Sequence, residues 1–179
     1  MHTRLFTRVA GQLALVFSAA ACCSHALAHI TAQPNEAVAG TYFETSFNVP
    51  HGCDGSSTVA IQVTIPAGVL SVKPQMKPGW QVEARTQVID PPLKGEHGAG
   101  TTQAVSSVEW RGGPLPDGLY DRFGILMKLP DTPGKTLWFP VVQTCENGRR
   151  EWTDIPADGQ SVHALHGPAP FVRLQAATH

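Results

Sequence analysis

Residues with the chemistry to hold a transition metal stand at three places in this chain, and the first is His29, directly after Ala26-Leu27-Ala28. If the chain is cut after Ala28, the new terminus reads His29-Ile30-Thr31, and its first residue carries an α-amine and an imidazole on one short link. Copper(II) favours nitrogen and oxygen donors in a tetragonal arrangement, so the amine and Nδ1 of the same ring can fill two equatorial positions. Alone this is a weak signal, because signal cleavage leaves a terminal histidine in some exported chains by chance. Its meaning depends on what the fold brings to it.

The second place is Val49-Pro50-His51-Gly52-Cys53-Asp54-Gly55-Ser56, which packs an imidazole, a carboxylate and a cysteine into one turn. Asp54 can supply an anionic oxygen and His51 a third nitrogen. Each has a plainer reading, since Asp-Gly is a common turn dipeptide and His51 suits an exposed turn. The third place is Glu151-Trp152, shortly after Cys145. An indole beside a copper ion restricts access of water, as apolar shells around metals do, although a tryptophan in a strand is also ordinary core.

These residues can meet only if the chain is exported and suitably folded. Arg4 and Arg8 form a basic start, Val9 to Ala21 an apolar stretch of signal-peptide length, and Ala26-Leu27-Ala28 the small residues that signal peptidase requires. Residues 1–28 therefore read as a cleaved signal peptide, leaving 29–179 as one exported domain. The apolar stretch falls short of the ~20 residues that span a bilayer. Lipid attachment at Cys22, after Ser18-Ala19-Ala20-Ala21, is the competing reading, and it would keep His29 inside the chain. The mature chain keeps Cys53 and Cys145, an even pair in an exported protein, which favours a disulfide over thiolate ligation of a metal. Closing a loop of about ninety residues, that bond contributes roughly 4 to 5 kcal/mol in the chain-entropy model. It would draw the Asp54 turn toward the strand carrying Trp152.

Charge is balanced, with 13 Lys and Arg against 14 Asp and Glu and no basic run, which argues against binding to nucleic acid or to an anionic membrane. Seventeen Gly and 15 Pro punctuate short apolar runs, so the expected class is all-β, an antiparallel β-sandwich. Strands are expected over 42–49, 58–65, 81–89, 104–111, 119–129, 136–145, 150–155 and 171–174. The stretch 90–102, with Pro91-Pro92 and several glycines, reads as a long mobile loop holding a solvated His97. His163, His166 and His179 suggest a second metal patch but are better read as solvent-exposed tail residues. Met76 and Met127 are too far apart for a soft Cu(I) site, and Met127 fits a core strand.

The start His29-Ile30-Thr31 with Pro34, the turn 49–56, Lys77-Pro78-Gly79-Trp80, and the tract from Gln143-Thr144-Cys145 through Glu151-Trp152-Thr153 together resemble the YcnI-like copper-binding family of exported bacterial proteins. The resemblance spans nearly the whole mature chain, with the four motifs in the family's order. It implies an immunoglobulin-like or fibronectin-like sandwich holding Cu(II) through a single-histidine brace: the amine and ring of His29, a carboxylate assigned to Asp54, and Trp152 nearby. His51 occupies a position where glutamate would be sought. Many relatives carry a carboxy-terminal membrane helix that this sequence lacks. The resulting expectation is a periplasmic Cu(II)-binding protein acting in storage, delivery or resistance without turnover, partnered by other copper-handling proteins. The alternatives are a histidine-brace copper monooxygenase acting on polysaccharide, with His51 as its second histidine, and a structural or adhesion sandwich without metal.

Overall fold

In the computed structural model, which describes residues 29–94 and 100–177, alternating apolar residues form two packed sheets and a smaller third. The strands in chain order are β1 (Thr31–Gln33), β2 (Glu36–Val38), β3 (Tyr42–Val49), β4 (Thr58–Thr64), β5 (Leu70–Pro74) and β6 (Trp80–Lys94). They continue with β7 (Gly100–Leu115), β8 (Asp121–Lys128), β9 (Thr136–Trp138), β10 (Val141–Cys145), β11 (Arg149–Trp152) and β12 (Phe171–Gln175). One sheet runs β1-β3-β8-β5 and the facing one β11-β10-β4-β7-β6, while β2-β12-β9 forms the third.

Period-two burial explains the packing. In β8, Phe123, Ile125 and Met127 are fully buried while Arg122 and Leu126 face outward. Ile61 and Val63 of β4, Trp110 of β7 and Val141 of β10 meet them from the facing sheet, with the Trp110 and Phe123 rings 5.5 Å apart. The Trp110 indole donates to the Gln75 carbonyl at 2.9 Å, so its one polar atom is satisfied.

The all-β sandwich is as the sequence indicates, and the strand at 42–49 has the expected bounds. Three short strands, β1, β2 and β5, escape a reading based on alternation, because two have only three residues and β5 contains Lys73 and Pro74 on a sheet edge. The run 136–145 is two strands in different sheets: Phe139 donates to the Pro170 carbonyl, and the Pro140 carbonyl accepts from Thr64 as the chain crosses over. The mobile loop expected over 90–102 is instead mostly a continuation of the β6–β7 hairpin, with Leu93 opposite Thr101 and Lys94 opposite Gly100. A register irregularity between Val88 and Leu93 absorbs the two prolines, which have no N–H to give the ladder. His97 and His179 lie outside the described residues, as does the expected signal peptide. Met127 is core and Met76 is exposed.

Strand register delivers His29. In the antiparallel pair β1–β3, Thr31 lies opposite Asn48 and Ala32 opposite Phe47. His29 and Ile30 immediately precede this pairing, as Val49, Pro50 and His51 follow Asn48 on β3's side, which brings the start of the chain toward the turn. Ile30 and Val49 are both buried and anchor this end.

Candidate metal centre

Trp152 is the wall of the site. It sits on β11 opposite Val141 of β10, is 3% exposed, and takes two imidazoles edge-on: His29 with ring centroids 5.5 Å apart at 81°, and His51 at 6.5 Å and 68°. Both histidines are half-buried. The His51 Nδ1–H donates to the Gly52 carbonyl at 2.7 Å, which orients the ring.

Behind the wall lies Gln143, fully buried on β10 between Val141 and Cys145. Its amide donates to the His51 carbonyl at 2.7 Å and to Thr58 Oγ1 at 2.8 Å, and its Oε1 accepts from the Trp152 indole N–H at 3.1 Å. One side chain thus ties together the backbone of one histidine and the ring against which both pack. A polar residue interrupting the inward series Val141, Gln143, Cys145 was visible in the sequence as a departure from alternation. Gln143→Leu should cost about 2 to 4 kcal/mol, because it leaves a buried indole N–H and a buried hydroxyl without this partner. Urea unfolding with an unchanged m-value checks it.

Cys53 and Cys145, 92 positions apart in sequence, form the expected disulfide, with Cα atoms 6.0 Å apart. It joins the turn after His51 to the strand end after Gln143. Within that turn, Cys53 and Ser56 exchange backbone hydrogen bonds at 2.9 and 3.0 Å around Asp54 and Gly55, whose φ values are 53° and 88°. Positive φ at both central residues is the type I′ geometry for which Asp-Gly is suited. Gly52 is required by close approach, since a Cβ there would lie 1.9 Å from the Ser56 carbonyl oxygen, and its N–H donates to Asp117 at 3.0 Å.

The structure therefore gives Asp54 the turn role. Its side chain is 84% exposed and is engaged by the Arg150 guanidinium. Glu151 is likewise exposed and paired with Arg149. Of the residues singled out from sequence, His29 and His51 are both brought against Trp152, while Asp54 is paired with Arg150. Among the described residues, no three His, Cys, Asp or Glu side chains converge on one metal-sized point. Arg150, which pairs with Asp54, carried no signal in the sequence.

The two facing sheets place the chain among immunoglobulin-like β-sandwiches. An uncharacterized protein from Nocardia farcinica whose crystal structure reveals an immunoglobulin-like fold superposes with a TM-score of 0.62 at 28% identity, covering 82% of this chain and 98% of that one. A putative membrane anchored protein from Corynebacterium diphtheriae gives a TM-score of 0.40 at 9% identity over 84% of this chain and 35% of that one. The chain belongs to the family described as Domain of unknown function (DUF1775), whose model matches residues 29–174. No curated protein matches it. Among the described residues no helix is long and apolar enough to cross a membrane.

Proposed function

We propose that this protein binds Cu(II) outside the cytoplasm, through the α-amine and ring of His29 and the imidazole of His51, and that it holds the ion for storage, delivery or resistance rather than turning over a substrate. The observation that carries the reading is the placement of His29 and His51 against the one indole of Trp152. Three nitrogens from two residues suit the tetragonal preference of Cu(II). The Gln143 and Gly52 hydrogen bonds orient the ring and the wall, as outer-shell partners do at metal sites. The disulfide favours an oxidising compartment, and the family match beginning at His29 fits processing after Ala28. The ion would be received from or passed to other copper-handling proteins.

Two substitutions test the ligand set in a competitive Cu(II) titration. His51→Ala should weaken binding by about tenfold or more, the lower end of what disturbing even an outer-shell partner costs. Asp54→Ala should change it by less than about threefold, since that carboxylate is paired with Arg150 and mostly exposed. The reverse ranking would return the third ligand to Asp54. The three-nitrogen set also supports a second reading, an oxidative copper enzyme. Reductant, oxygen and a polysaccharide together would then yield oxidised sugars, whereas unaltered polysaccharide supports binding without turnover.

A further inference from the structure

His29 lines one cavity with a further histidine, His163. The segment 155–166 leaves β11 just after Trp152 and returns to the same point, its base pinned by Asp154: the Asp154 N–H donates to the Gly167 carbonyl at 2.8 Å, the Ala169 N–H to the Asp154 carbonyl at 2.9 Å, and the Gly167 N–H to Asp154 Oδ2 at 3.0 Å. A Cβ at Gly167 would lie 2.3 Å from the Glu151 carbonyl oxygen, so the returning chain is pressed onto the end of β11. The segment is organised within. Gln160 closes a turn onto Ala157 from both its N–H and its side chain, and a single 3-10 turn at Val162–Ala164 begins on Ser161, whose hydroxyl accepts from the His163 N–H. This is a compact loop with joined ends, a kind often found to be functional. His163 thus has a fixed scaffold, unlike the tail residue expected from sequence.

That scaffold sets His163, itself solvent-exposed, on the wall of a cavity of about 240 Å3 that His29 also lines, together with Asn35, Val162, Pro168 and Phe171. Trp152 and His51 do not line it. His29 is therefore shared between two surroundings, one with His51 and Trp152 and one with His163. The three imidazoles do not converge on one point.

Resting on the reading of His29 as a copper ligand, we propose that His163 is an exchange ligand for Cu(II): it takes the ion from solvent or from a competing chelator and passes it to the His29–His51 pair, and the reverse on release. An imidazole that binds as another ligand leaves spares the ion a state with an unfilled equatorial position. His163 is exposed and so meets the incoming ion before the half-buried His51 does. No electron or covalent bond changes hands; nitrogen donors replace one another around a single divalent ion.

The test uses the full chain processed to His29, as wild type, His163→Gln and His163→Ala, each loaded with one equivalent of Cu(II). Continuous-wave electron paramagnetic resonance reads the resident ligands, and stopped-flow tryptophan fluorescence reads transfer to EDTA. The resonance spectrum should be the same in all three proteins, while transfer slows at least fivefold in both variants and added imidazole restores the rate of His163→Ala. Equal transfer rates would overturn the proposal. So would an altered spectrum in the variants, which would make His163 a resident ligand. If the wild type takes up no Cu(II), the underlying reading of His29 fails, and this one with it.

Discussion

A form of the protein carrying one extra residue ahead of His29 should lose Cu(II) affinity by more than the roughly 10- to 100-fold that removal of an outer-shell partner costs at a metal site. The extension turns the α-amine into an amide, whose nitrogen is a far poorer donor, so one of three nitrogens is lost together with the chelate that Nδ1 forms with it. Nothing else in the site is altered: Ile30 stays buried, β1 still pairs with β3, and the rings of His29 and His51 keep their wall. Competitive titration of the processed and extended forms reads the difference. Equal affinity would remove the amine from the donor set.

Replacing both Cys53 and Cys145 with alanine should lower stability by about 4 to 5 kcal/mol, the chain-entropy value for a loop of this length. For a domain of this size the midpoint of thermal unfolding would fall by roughly 10 to 20 °C. Calorimetry measures it, and a fall of only a degree or two would show that the turn and β10 are held by their other contacts. Those contacts are real: Gln143 grips the His51 carbonyl, Arg150 grips Asp54, and the Asn147 N–H donates to Ser56 Oγ at 2.8 Å. The disulfide lies between His51 and Gln143 and braces both, so in the same variant Cu(II) affinity should also fall, though less than in the extended form.

The fold could be read from sequence wherever burial follows period two. Phe123, Ile125 and Met127 announce β8, and the cysteine pair announces the joining of the turn to β10. It could not be read where pairing rather than patterning makes the strand. Thr31–Gln33 is a strand because Phe47 and its neighbours stand opposite, and the 90–102 stretch pairs despite its prolines because β6 and β7 are already aligned. The same division holds at the site. His29, His51 and Trp152 were marked by residue type and neighbourhood, and register brought them together. The partner of Asp54 was not legible, because it is Arg150, a residue 96 positions away whose pairing only the folded chain reveals. His163 was read from sequence as solvent-exposed, and it is, but its place on a pinned loop lining a cavity with His29 was not legible.

Pulsed electron paramagnetic resonance of the processed protein with one equivalent of Cu(II) tests the central claim most directly, because the modulation from the remote ring nitrogens counts the imidazoles on the ion. The account predicts two imidazoles in the wild type, one in His51→Ala, and two in Asp54→Ala. A single imidazole in the wild type, with a spectrum that changes on removing Asp54 and not on removing His51, would contradict it.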